Sequence, residues 1–564
     1  MSVNSMKNHR LTSLIAVCAM SCTLCANAQS QTDDDHAFDV SSQLDILHTA
    51  YRTLDALYVD TLDAKKLIST GIRAMFHSLD PYTEYYPQED EKELKMLTQA
   101  KYGGIGSIIR QMKDSTVIIA EPYEGMPADE VGLQAGDILL KIDDKDLKGV
   151  PSTEVSESLR GEPGTTFVLK FQRPGEAKPR TVKITRQSIK IPCIPYSGLV
   201  HGTIGYINLN QFTDDCFSLV RKAVITLKEQ GAKSLILDLR GNGGGSLDQA
   251  VRIVNLFVPK GLTIVENKGK VQSANMKYVS NDTPLDLDIP IAVLVDGETA
   301  SASEIVSGSL QDLDRAVIIG NRTYGKGLVQ SIRELPYDSH MKLTTAKYYI
   351  PSGRCIQEVD YKLRRDQSDS QSAKQQAASQ DSIFYTTNHR VVKSGKGITP
   401  DITVKLDTLQ NITIYLSHDD ILVNYATRYC QTHTRPATVS DFHYTDKDYA
   451  DFKQMVINSD FKYDKLSDKN LEQLKKVAKF EGYYDDAKAE FDALEAKLTH
   501  NLEYDLDRCS KDIRMLISLE IAKRWFYERG SIQIGMTDDP VLDRAVNLLG
   551  NTDEYNKILG KASE

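Results

Sequence analysis

The sequence predicts a multidomain α/β and β protein: a helical N-terminal region, a compact β-rich module, an α/β domain and a helical C-terminal region. Three observations carry this. Short apolar runs alternate with helix-like segments between about residues 200 and 360, short strands and turns fill 102–187, and three- and four-residue apolar spacing governs both ends. At roughly 100–200 residues per domain, 564 residues make about three to five domains.

The first element is a leader. Lys7, His9 and Arg10 precede an apolar stretch from Leu11 to Leu24 and then Ala26-Asn27-Ala28, the layout of a secretory signal peptide over residues 1–28. No later stretch approaches the roughly 20 apolar residues of a membrane span. The expected location is therefore the periplasm or cell envelope; a lipid anchor on Cys22 or Cys25 is the weaker reading. Beyond the leader five scattered cysteines remain, Cys193, Cys216, Cys355, Cys430 and Cys509, which is neither a disulfide framework nor a zinc site. A net charge of −10 argues against a nucleic-acid-binding face.

Residues 38–99 read as helical, with Leu44, Leu47, Tyr51, Leu54 and Leu57 on one face, a second helix from Ala64 to Phe76 and a third from Glu89 to Thr98. In the module 102–187, Val117–Ala120, Ile138–Ile142 and Phe167–Phe171 read as strands, with a helix from Thr153 to Leu159. The α/β domain spans 195–405. Its strands are Ile204–Leu209, Ser234–Leu239, Ile291–Val295 and Ala316–Ile319, separated by helices at Phe217–Glu229, Ser246–Phe257 and Ser301–Leu310. Residues 362–382, poor in apolar content, read as a mobile insertion. Helical spacing returns over 415–564, as at Ile513, Leu516, Ile517 and Ile521.

Three segments of the α/β domain could carry chemistry. Asp238-Leu239-Arg240-Gly241-Asn242-Gly243-Gly244-Gly245 joins a strand to a helix and could offer backbone N–H groups to an oxyanion, or be only a tight turn. It fits neither a dinucleotide fingerprint nor a phosphate loop. Ser301 enters a helix after Thr299-Ala300, where a serine is usually an N-cap but a nucleophile can also be held. Lys326 stands between Gly325 and Gly327; it is either a solvated turn residue or a base whose pKa desolvation lowers. There is no His-Glu-x-x-His zinc pair and no Gly-x-Ser-x-Gly elbow, so a serine hydrolase here would have to work without histidine, and neither cofactor nor metal is expected.

Asp238-Leu239-Arg240-Gly241-Asn242-Gly243-Gly244-Gly245, Ser301-Ala302-Ser303-Glu304-Ile305 and Tyr324-Gly325-Lys326-Gly327-Leu328-Val329-Gln330, in this order, resemble the C-terminal processing (tail-specific) peptidases. The likeness extends to Leu79-Asp80-Pro81-Tyr82-Thr83, Tyr102-Gly103-Gly104-Ile105-Gly106 and Gly397-Ile398-Thr399-Pro400-Asp401-Ile402, covering about residues 40–405. The family usually carries Pro at the place of Gly243 and Phe at that of Tyr324. The resemblance implies a crotonase-like (β-β-α superhelix) protease core in which Ser301 is the nucleophile, Lys326 its base and Gln330 the residue that orients the lysine. It implies oxyanion donors at Ala302 and at Gly243 or Gly244. It makes the β-rich module a PDZ domain, with Gly103, Gly104, Ile105 and Gly106 as carboxylate loop and Ile105 lining an apolar pocket with the Val155–Leu159 helix. Expected partners are exported protein or peptide substrates with free C-termini. For the C-terminal helices, substrate clamping, self-association and adaptor docking stay open. Two rivals remain: a PDZ-bearing scaffold or chaperone with a degenerate protease domain, and another serine hydrolase such as an esterase.

Overall fold

The structure, a computed structural model, describes residues 35–90, 101–359, 361, 382–498 and 501–561. The signal segment 1–28, residues 91–98 of the third predicted helix and all but the last residue of the insertion 362–382 lie outside the described residues. Among the described residues no helix is long and apolar enough to cross a membrane. The chain divides after Pro87 into two units.

In the first unit a helix over residues 35–57 is followed by the helix Ala64–His77, which Asp63 caps by accepting the Lys66 N–H at 3.0 Å. The predicted apolar stripe forms, with Leu44, Leu47, Leu54 and Leu57 all exposed. The Leu79–Thr83 segment is a turn closed by Asp80, whose Oδ1 accepts the N–H groups of Tyr82 and Thr83 at 2.8 Å each.

The second unit begins with the β-rich module. Its strands Ser107–Gln111, Val117–Pro122, Ile138–Ile142, Thr166–Gln172 and Arg180–Thr185 lie side by side in that order, each antiparallel to its neighbour. Period-two patterning sets the faces: Phe167, Leu169 and Phe171 point into the core, and the residues between them are exposed. The helix Ser152–Leu159 inserts Val155 and Leu159 into the same core.

The α/β domain is built on a sheet ordered Tyr196–Val200, Ile204–Asn208, Ser234–Asp238, Ile291–Val295, Val317–Gly320 and Ile402–Thr403. The first pair is antiparallel and the remaining pairs are parallel. Its central strands are buried throughout, with apolar interiors, because both faces are covered. Leu235, Leu237, Val293 and Ile318 meet the helices Cys216–Glu229, Leu247–Asn255 and Ala302–Asp312. Ile236, Ala292, Leu294, Val317 and Ile319 meet Val541, Leu542, Ala545, Leu548 and Tyr555 of the helices Pro540–Leu549 and Thr552–Ile558. The last two helices of the C-terminal region are thus the second layer of the α/β sandwich. Tyr555 ties them to the central strand: its hydroxyl accepts the Ile291 N–H at 2.9 Å and donates to the Ile291 carbonyl at 3.1 Å.

The other C-terminal helices enclose a core of their own around Tyr425, Phe452, Ile513, Ile517, Ile521 and Trp525. The long helix Ser510–Gly535 is broken at Tyr527 (φ 60°, ψ −167°), a conformation rarely held by an aromatic residue. There it meets the β-rich module: Tyr527 donates to Asp129 at 2.7 Å, Arg529 pairs with Glu124 at 2.8 Å and Lys523 with Glu121 at 3.3 Å. Arg110–Asp420 and Lys113–Asp419 add two further pairs.

Candidate active site

Two parallel strands deliver the site, Ser234–Asp238 leading into the glycine-rich turn and Ile291–Val295 leading into the turn before Ser301. Ligands commonly meet an α/β sheet at these carboxyl ends. The glycine-rich turn is anchored on both sides of its open stretch. Gly241 donates to both carboxylate oxygens of Asp296 at 3.1 Å. Buried Asn242 donates from Nδ2 to the Leu209 carbonyl at 2.7 Å, and its own carbonyl accepts from Ala300 N–H at 3.0 Å and Ser303 Oγ at 2.9 Å. Asn242 therefore binds this turn to the serine turn.

Gly244 (φ +103°) passes directly under the serine: a Cβ there would lie 2.8 Å from Ser301 Cβ and 2.9 Å from Ala302 N, so only glycine fits. Its N–H donates to Asn242 Oδ1 at 2.9 Å. Among the described residues, the N–H groups of Gly243 and Ala302 donate to no acceptor. For Ala302 this follows from its place in the first turn of a helix, whose N–H groups have no intrahelical partner. Two backbone donors are thus open, that of Ala302 next to Ser301 and that of Gly243 one residue before the glycine that packs against it.

Ser301 is half-buried and adopts φ 57°, ψ −115°, a strained backbone that this tight strand-to-helix entry enforces. Its N–H donates to Glu304 Oε2 at 2.9 Å, the return bond of a Ser-x-x-Glu capping box. The same Oε2 accepts the Lys326 N–H at 2.9 Å. Oε1 accepts the Thr323 hydroxyl at 2.5 Å and the Gly325 N–H at 2.8 Å. Glu304 is 0% exposed, and burial pushes its carboxyl above the ordinary range against the pull of these four donors. One buried carboxylate therefore fastens the serine turn to the lysine turn. The sequence signal for this role is the Ser301-x-x-Glu304 spacing of a capping box, which names the bond to the serine turn but not the one to the lysine turn.

Lys326 is half-buried, and its carbonyl accepts the Tyr348 hydroxyl. Both flanking glycines are close-packed: a Cβ on Gly325 would stand 2.7 Å from Glu358 Cβ, and one on Gly327 2.7 Å from Gln357 N. The strand Leu328–Leu335 follows, paired with Ser339–Tyr349, so Gln330 lies a hairpin step beyond the lysine. The register slips between Val329 and Gln330, a bulge that re-aims the Gln330 side chain, and Nε2 donates to Thr344 Oγ1 at 3.4 Å.

In the β-rich module Gly103 and Gly104 end the strand Lys101–Gly104, which pairs with Gln187–Lys190. The carbonyls of Ile105 and Gly106 accept from Ala128 and Tyr123, at 2.8 and 2.9 Å, and among the described residues the N–H groups of Ile105 and Gly106 donate to no acceptor. The side chains of Ile105, Val155 and Leu159 are buried together in the module core. They fill that core rather than line an open pocket as the sequence suggested. Apolar content marks a residue as buried without saying whether neighbours or a ligand bury it.

Fold and site together define a modular serine-type peptidase, and comparison with known proteins agrees. Residues 203–367 match the model of peptidase family S41, 118–173 that of a PDZ domain, and 412–549 that of the C-terminal helical domain of probable PDZ-proteases. A carboxy-terminal-processing protease of Bartonella bacilliformis is 37% identical over 344 residues, 60% of this chain and 78% of that protein. A probable CtpA-like serine protease of Staphylococcus aureus is 32% identical over 376 residues, 66% of this chain and 67% of that protein. Among solved structures, a photosystem II D1 C-terminal processing protease matches at 25% identity and TM-score 0.36, covering 64% of this chain and 93% of that one. The chain belongs to the C-terminal processing peptidases of peptidase family S41.

Proposed function

We propose that this PDZ-bearing serine protease cleaves by a Ser301–Lys326 dyad, with Gln330 orienting the lysine. The observation that carries the reading is the Glu304 carboxylate, which holds the Ser301 and Lys326 backbones 2.9 Å from one oxygen. Neutral Lys326 takes the Ser301 proton as Oγ attacks the scissile carbonyl; the proton leaves with the amine and water hydrolyses the acyl-enzyme. The oxyanion is received by the open N–H group of Ala302 and by one from the glycine-rich turn: that of Gly243, which is open but stands where the family usually has Pro, or that of Gly244, which lies against Ser301 and donates to Asn242. The free N–H groups of Ile105 and Gly106 support a carboxylate loop over Gly103–Gly106 that selects substrates by their C-termini.

The layout proposed is a signal peptide at 1–28, helices at 38–99, a PDZ domain at 102–187, a crotonase-like β-β-α superhelix core at 195–405 and C-terminal helices at 415–564. The leader pattern supports export, so the substrates are proteins of the periplasm or cell envelope. The test is to incubate the mature chain, and its Ser301→Ala variant, with an unfolded protein and identify products by mass. Cleavage is expected only with serine present; equal cleavage by Ser301→Ala overturns the assignment.

A further inference from the structure

We propose that Asp539, in the C-terminal helical region, is a positioning residue for the catalytic turn and acts through Arg240. The inference rests on the oxyanion reading above. Arg240 opens the glycine-rich turn, and its guanidinium lies between two carboxylates. Nε donates to Asp238 Oδ1 at 2.9 Å, and Nη2 stands 2.6 Å from Asp238 Oδ2 and 2.8 Å from Asp539 Oδ2. The three side chains are 25%, 3% and 9% exposed, so the cluster is largely dry and water poorly replaces a lost partner.

Asp539 has a second task. Its Oδ1 accepts the N–H groups of Val541 and Leu542, at 3.0 and 3.1 Å, and so caps the helix Pro540–Leu549 that covers the sheet. One carboxylate thus joins that covering helix to the first residue of the turn. Next in the turn come Gly241, fixed by Asp296, then Asn242, and then Gly243, which has neither a side chain nor a hydrogen-bonded N–H. Glycine lacks conformational restraint of its own, so the direction of the N–H groups at Gly243 and Gly244 is inherited from the residues flanking them. An oxyanion donor stabilises a transition state only when it is already aimed. Arg240, clamped between Asp238 and Asp539, supplies that aim from the N-terminal side.

The test is steady-state cleavage of a short unstructured peptide by the full chain. Asp539→Asn keeps a good helix cap but turns a neutral amide toward Arg240. The expected result is kcat down about 10- to 100-fold, a misplacement-sized effect, with KM changed less than about twofold. Asp539→Glu, which restores the charge, should recover most of the loss. Arg240→Lys should lower kcat comparably, and combining it with Asp539→Asn should cost no more than the worse single variant. A wild-type kcat in Asp539→Asn, or a loss that merely follows the melting temperature, overturns the proposal. Ser301→Ala assayed alongside keeps the two readings apart: residual cleavage there would overturn the Ser301–Lys326 assignment, whatever Asp539→Asn does.

Discussion

Glu304→Gln is the most searching single change at this site. The wild-type carboxylate accepts from Ser301 and Lys326 on Oε2 and from Thr323 and Gly325 on Oε1. A glutamine must turn its NH2 toward one pair. Facing Ser301 and Lys326 strands two N–H groups. Facing the other pair strands Gly325 N–H and leaves the Thr323 proton without its acceptor, since Thr323 Oγ1 already accepts from Ile398 N–H at 2.7 Å. At about 1–3 kcal/mol per stranded buried donor, the gross cost is roughly 2–6 kcal/mol. The neutral amide escapes the desolvation that raises the Glu304 carboxyl, so a net loss of about 2 kcal/mol is expected, roughly 4–8 °C in Tm. The kcat should fall about 100-fold, because the serine and lysine turns lose their shared anchor. A pH series adds a signed check. With its folded value above the ordinary 4.5, Glu304 contributes stability that is full below that value and is lost as pH rises through the raised one. Glutamine does not titrate, so the Tm gap between wild type and variant should narrow from pH 4.5 to 8. A kcat within twofold of wild type, or a gap that widens, refutes the reasoning.

Four further outcomes are expected. Lys326→Arg should abolish cleavage of a fluorogenic peptide with the fold intact, since a guanidinium stays protonated; retained activity would sink the dyad. Gly243→Pro deletes an N–H at a position where a Cβ meets nothing within 4 Å and installs the residue the family usually carries, so kcat should stay within about tenfold of wild type with the second oxyanion donor at Gly244; a fall of roughly 100- to 1,000-fold would place that donor at Gly243. Amidating the C-terminus of a good peptide substrate should slow its cleavage, and equal rates for acid and amide would remove the carboxylate-loop role. Glu121 faces Lys523, Glu520 and Glu528; burial raises its carboxyl and that of Glu528, with Lys523 opposing at Glu121, so both contribute stability that is lost as pH rises. The Tm of Glu121→Gln relative to wild type should therefore climb between pH 4.5 and 8, and a constant difference would refute it.

What sequence could reveal here was what neighbours in the chain encode. The apolar runs at Ile291–Val295 and Ser234–Asp238 announced buried strands because both faces are dry, and the glycines around Asn242 and Lys326 announced turns. Ser301, Lys326 and the glycine turn could be proposed because each occupies a local pattern. Long-range pairings leave no such trace: Arg240 meets Asp539 across some three hundred residues, and Tyr555 meets Ile291 across 264. The helical spacing at Leu44, Leu47, Leu54 and Leu57 predicted the helix correctly but could not say that its stripe would be exposed. Ile105 failed in the opposite sense, reading as a pocket wall and serving as core.

The two helices that cover the inner sheet, Pro540–Leu549 and Thr552–Ile558, come after every strand of that sheet in the chain. A polypeptide emerging N-terminus first therefore presents Ile236, Leu294 and Ile319 without their cover until residue 558 is free to fold back. Asp539 sits at the head of the same segment, so its ion pair with Arg240 also forms only after every strand of the sheet has been made. The cover is thus the last part of this sandwich to be made, and a cut anywhere between Thr403 and Asp539 would leave the sheet joined to it only through packing and hydrogen bonds such as that of Tyr555 to Ile291.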